Sequence, residues 1–142
     1  MQEWALWALA SAVFAALTAI FAKVGLEGID SNFATFIRTL VIAAALILFL
    51  TYAKKWQPLG EISAQNWLFL TLSGLATGAS WLAYFKALQM GSASQVAPID
   101  KLSVVLVVVF AVMFLGERPS AREWIGIALI ASGVFTLVFA DK

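Results

Sequence analysis

Long apolar blocks separated by short polar breaks set the pattern of this chain. A helix that crosses a bilayer needs about 20 mostly apolar residues to cover about 30 Å of hydrocarbon. Five blocks reach that length, at about 4–24, 33–52, 66–88, 94–115 and 121–139. The breaks carry helix punctuation. The first block ends at Gly25 with Lys23 in its last turn, and "DSN" (Asp30, Ser31, Asn32) offers caps for the second. "AKKWQPLGE" is a polar break with a lysine pair, a proline and an interfacial tryptophan. Gly116 supplies a C-cap after the fourth block, and Ser120 with Glu123 forms a capping box before the fifth. The pattern predicts an all-α membrane protein of five transmembrane helices in one domain, 1–142. The short connections predict that neighbouring helices pack antiparallel in a bundle.

Composition agrees. The chain is 63% hydrophobic and 12% charged, against about 25% charged in an average soluble domain. The N-terminal block lacks the positive leading region of a signal peptide and is long enough to span, so it reads as a retained helix. A net charge of +1 leaves no basic surface for nucleic acid. Histidine and cysteine are absent, which removes imidazole and thiolate metal sites, cysteine nucleophiles and histidine triads. No group of catalytic side chains converges, so neither an enzyme nor a bound cofactor or metal is expected.

An odd number of spans puts the two ends on opposite sides of the membrane. Lysine and arginine near the cytoplasmic face normally fix which end is inside. Here the N-terminal side holds Lys54, Lys55, Arg118 and Arg122, while the other holds Lys23, Arg38, Lys86, Lys101 and Lys142. That near-tie leaves insertion in both orientations open and allows antiparallel pairing.

Helices in lipid associate through close packing at small residues. Gly74 and Gly78 stand in GxxxG spacing in the third span, and Gly126 and Gly133 lie seven apart in the fifth. Both pairs are candidates for a dimer seam, or for packing within the chain. On the first span Trp7, Ser11, Phe14 and Thr18 form the one polar stripe, suited to a pocket wall or to helix contact.

The charges inside the spans are the candidate chemistry. Asp100 and Lys101 open the apolar run of the fourth span, where a charge needs a partner or a wet cavity. Neighbours on an ideal helix point about 100° apart, so the two are not expected to pair with each other. Lys23, Arg38 and Lys86 are the cations at the same end, and Trp81 and Tyr84 offer an aromatic wall. One reading is a substrate vestibule of Asp100, Lys101, Trp81, Tyr84, Arg38 and Ser11. The other places Pro98 at the first position of a helix, with Asp100 near its positive end and Lys101 reaching for lipid phosphate. Arg38 likewise suits a lipid anchor or a substrate contact, and Glu117 suits the corner after the fourth span.

Two stretches carry a family resemblance. "FIRTLVIAAALI" (Phe36–Ile47) resembles the arginine-bearing second helix of the EamA family, within the drug/metabolite transporter superfamily. "PIDKLSVVLVVVFAVMFLGERPSAREWIGIALIASGV" (Pro98–Val134) resembles that family's fourth helix, its LGE corner and its glycine-spaced fifth helix. Typical members join two five-helix units as an inverted repeat and export small metabolites or drugs. The resemblance implies a short bacterial or archaeal member in the cell membrane, one half of such a transporter, completed by an antiparallel second copy. The glycine spacing is also similar to that of small multidrug transporters. Their first-helix glutamate is missing here, since no acidic residue follows Glu3 in that span. The expected function is transport of a small organic molecule by alternating access. The alternative is a non-transporting partner subunit, for example of a lipid-linked sugar flippase, which would need no polar cavity of its own.

Overall fold

A computed structural model describes residues 3–139. Five helical segments are long and apolar enough to cross a membrane: Glu3–Gly25, Ser31–Ala53, Ala64–Met90, Ala93–Leu115 and Ala121–Phe139. No strand occurs among the described residues. The chain is therefore an all-helical, multi-pass integral membrane protein. It divides into two compact units, one ending at Met90 and one beginning at Gly91. Lys142, counted above among the charges, lies outside the described residues.

The first unit holds α1 (Glu3–Gly25), α2 (Ser31–Ala53) and α3 (Ala64–Met90). Asp30 caps α2, its Oδ1 accepting from the backbone N–H groups of Asn32 (2.9 Å) and Phe33 (3.1 Å). At the other end Lys54 adopts the left-handed conformation (φ 52°) and its N–H reaches the Leu50 and Thr51 carbonyls. Trp56 then folds back, donating its indole N–H to Thr51 Oγ1 at 3.1 Å. A hydroxyl in hydrocarbon needs an acceptor, and the helix supplies one. Thr35, Thr39 and Thr77 each donate 2.8 Å bonds to the carbonyl four residues back.

α3 packs against both α2 and α1. The buried residues Ala19, Leu26, Ser31, Thr35, Phe85 and Leu88 gather at the end of the unit where α1 turns into α2. Lipid tails are as apolar as leucine, so this contact gains from dense packing and not from water release. Two polar ties hold the same corner. Lys23 Nζ donates to the Leu88 carbonyl at 2.7 Å, satisfying one of the last carbonyls of α3 with a cation at its negative end. Gln89 Nε2 donates to the Ile29 carbonyl at 3.0 Å.

The second unit shows where a regular fourth helix fails. The span runs Ala93–Leu115 as expected, but it consists of α4 (Ala93–Asp100), α5 (Ser103–Phe110) and a π-helical turn (Ala111–Leu115). Pro98 lies inside α4, not at the first position of a helix. It has no N–H to give the carbonyl of the preceding turn. The backbone responds with tight three-residue bonds of 3.0 Å, Lys101 N–H to Pro98 O, Leu102 to Ile99, Val104 to Lys101 and Val105 to Leu102. The span closes on Gly116, whose φ of 68° suits a residue without Cβ. α6 (Ala121–Phe139) begins with the expected capping box: Glu123 Oε2 accepts from Ser120 N–H and Oγ, and Ser120 Oγ from Glu123 N–H. α4 and α5 both pack on α6.

Candidate functional site

Three stripes converge in the first unit. On α1, Thr18, Phe21, Ala22 and Gly25 follow the three-and-four spacing of one helix face. Ala34, Ile37 and Arg38 do the same on α2, and Phe85 comes from α3. With Ile29 they line a cleft of about 350 Å³, near the lower end of ordinary small-molecule sites. The small residues Ala22, Gly25 and Ala34 leave this space open. Ser11 is exposed on α1 and outside the lining, although seven-residue spacing puts it on the stripe of Thr18.

Arg38 is the cation of this cleft. It lies seven residues into α2, roughly 10 Å along the helix from Ser31. Its guanidinium carbon stands 4.1 Å from the centre of the Trp81 ring and 5.2 Å from that of Phe85. Trp81 and Phe85 are four apart on α3 and so share a face. Each cation–π contact is worth ~0.5–2 kcal/mol, against ~2.5–3.5 kcal/mol for placing an arginine at a membrane-helix centre. Two aromatic faces thus offset much of the cost of half-burying this charge. Tyr84 sits beside Phe85 on α3, its ring edge-on to Phe85.

Asp100 and Lys101 belong to the second unit, and here the expectation is corrected. They do pair, Lys101 Nζ lying 3.4 Å from Asp100 Oδ2. The α-helix ends at Asp100, so the ideal 100° separation does not apply, and the flexible lysine stem bridges the rest. Asp100 also ends α4, where the helix dipole disfavours a carboxylate; the favourable helix start assigned to it above is overturned. Both side chains are partly exposed, and pairs of this kind contribute ~0–1 kcal/mol. Asp100→Asn is therefore expected to shift the melting free energy by less than about 0.5 kcal/mol, as a thermal melt in detergent would show.

A second cleft, in the second unit, is lined by Val108, Glu117, Arg118, Pro119, Glu123, Gly126, Ile127 and Ile130. Glu117 serves the corner through its backbone N–H, which donates to Ala111 O at 3.2 Å. At Gly74, Gly78, Gly126 and Gly133 an added Cβ would meet nothing within 4 Å.

The EamA-like transporter family matches residues 2–139. The chain belongs to that family. A Sinorhizobium protein described as an uncharacterized transporter in the cobO 3′ region is 56% identical over 136 residues, 96% of each chain. The uncharacterized transporter YxxF of Bacillus subtilis strain 168 is 28% identical over 135 residues, which are 94% of this chain and 42% of the relative's own length. No solved structure matches. This EamA protein is thus a membrane transporter, and the cleft around Arg38 is a candidate for a solute site. Reading the sequence picked out Arg38, Trp81 and Thr18. It missed Phe85, four residues after Trp81, and the small-residue stripe Ala22, Gly25 and Ala34 that makes the space.

Proposed function

We propose that the protein carries a small organic solute across the membrane by alternating access, as an antiparallel pair of copies. The cleft at Arg38 carries the reading. A cation held on two aromatic rings beside a solute-sized space has no use in a subunit that only assembles with others. The break in the fourth span supports it. Irregular backbone at membrane depth is tolerated where it is buried in protein or lines a wet cavity, and interrupted helices are a recurrent feature of transporter sites. A rocking pair of units also needs a place to bend, which a three-residue hydrogen-bonded turn after proline provides.

The pairing is supported by the near-even split of positive charge, four against five, and by the open glycine faces of α3 and α6. The relatives point the same way. The Sinorhizobium protein has the length of one such unit, whereas the Bacillus protein has more than twice the matched length. An inverted repeat within one chain and two copies of a shorter chain are alternative routes to the same arrangement. The same open faces would equally seat a different chain, which favours the partner-subunit reading if no flux is found.

Proteoliposomes of the purified protein alone, loaded with a mixed panel of unlabelled organic acids, amino acids and amines, test the proposal. Counterflow of at least one labelled member is expected at roughly tenfold or more above protein-free liposomes, well beyond passive leak. No counterflow of any member, with folded protein in the bilayer, would leave the partner-subunit reading standing.

A further inference from the structure

We infer that the Arg38 cleft binds the carboxylate of a singly charged, compact amphipathic ligand, its apolar body lying between α1 and α2. This rests on the transport reading only for what happens next; binding itself follows from the cleft.

The guanidinium of Arg38 lies with its carbon over the Trp81 ring, 4.1 Å from the ring centre, and 5.2 Å from the centre of the Phe85 ring. Its five N–H donors lie in the plane of the group, at the edges, and form a fork that matches a carboxylate in two parallel bonds. Among the described residues no side chain or carbonyl accepts from Arg38, and Asp100 pairs with Lys101. The two ring contacts therefore hold the cation while its N–H donors stay without an acceptor beside the cleft. A charge with unmet donors in a medium of low polarity strongly favours an anion arriving there.

The rest of the lining defines the ligand. Phe21, Ala22, Ile29, Ala34, Ile37 and Phe85 offer apolar surface to its body. Thr18 is the remaining polar contact, and its hydroxyl makes no hydrogen bond among the described residues, unlike Thr35, Thr39 and Thr77. It is available to a second polar atom of the ligand. One guanidinium balances one negative charge, and the nearby Lys23 is already engaged with the Leu88 carbonyl. A doubly charged phosphate would retain a net charge in the cleft, so a carboxylate fits better. A singly charged anionic head on an apolar body exists in free organic acids and, as a phosphodiester, in membrane lipids.

The test is calorimetric titration of the full chain in nanodiscs of phosphatidylcholine, with phenylacetate as probe and phenylacetamide and phenethylamine as its neutral and cationic counterparts. Phenylacetate is expected to bind and the other two are not. Arg38→Gln should weaken binding roughly tenfold or more, because a charge-assisted bidentate contact is lost. Ala34→Leu, which keeps the cation and fills the cleft, should do the same, so the result does not hang on one variant folding. Repeating the titration with phosphatidylglycerol in the discs separates the sources. Competition by that lipid identifies a lipid head as an occupant, and unchanged binding identifies a free solute. Equal affinity for the amide, wild-type affinity in both folded variants, or no binding of phenylacetate in phosphatidylcholine overturns the site. Binding without counterflow would sink the transport reading alone, and counterflow with no anion binding would sink this site alone.

Discussion

Glu27→Cys and, in a separate protein, Glu61→Cys are each expected to label to about half with a membrane-impermeant maleimide on intact cells, and fully after lysis. The chain has no cysteine of its own, so each label reports one loop. Glu27 lies in the connection between α1 and α2, and Glu61 in the connection between α2 and α3. One helix separates them, so in any single insertion they face opposite sides. Half labelling of both requires two populations of opposite orientation. The force that normally prevents this is weak here, with four cations on one side and five on the other. Some of those five do not act as loop charges at all. Lys23 is tied to the Leu88 carbonyl and Arg38 lies over Trp81, which leaves three against four and turns the small bias the other way. Full labelling of one and none of the other would end the antiparallel homodimer.

The five spans were legible because their cause is compositional. Each is a block whose length matches the hydrocarbon, and several ends are marked by a residue with a local job, such as Asp30, Lys54, Gly116 or Ser120 with Glu123. The irregularities inside the fourth span were not. A proline in an apolar run is compatible with a helix start or a helix break, and the choice depends on which residues before it are already helical. Here Ala93–Ala97 are, so Pro98 interrupts, and the positions of Asp100 and Lys101 relative to each other change with it.

The candidate site was half legible for a related reason. A lone arginine in a span and aromatics one turn apart announce themselves by type. That Arg38 rests on Trp81 depends on how α2 and α3 pack, and no periodicity within either helix contains that information. Ser11 shows the converse: its stripe was real, but only Thr18 at its far end reaches the cleft. Lys23, grouped with the possible partners of Asp100, turned out to serve a helix end, because four carbonyls at the end of α3 had to find donors.

If the copies pair through the fifth span, Gly133→Leu is expected to leave largely single copies and a folded chain as stable as before. Gly133 is exposed and an added Cβ there meets nothing within 4 Å, so the first carbon of a new side chain has room. Within the helix the change is favourable, since glycine costs ~0.8–1.0 kcal/mol relative to alanine. Only a second copy approaching α6 closely at Gly133 would be pushed away. A loss of even ~1.4 kcal/mol weakens the pair tenfold, readable as a fall in two-step photobleaching of labelled protein in liposomes at fixed density. Gly126 faces the cleft of the second unit, so Gly126→Leu also fills that space and is the less specific variant. Gly74→Leu with Gly78→Leu completes the experiment, because those positions on α3 are equally open. Loss of pairing there and not at Gly133 would move the seam from the fifth span to the third. Pairing that survives all the substitutions would mean that the glycine faces are lipid-facing, and that the two copies meet through larger side chains.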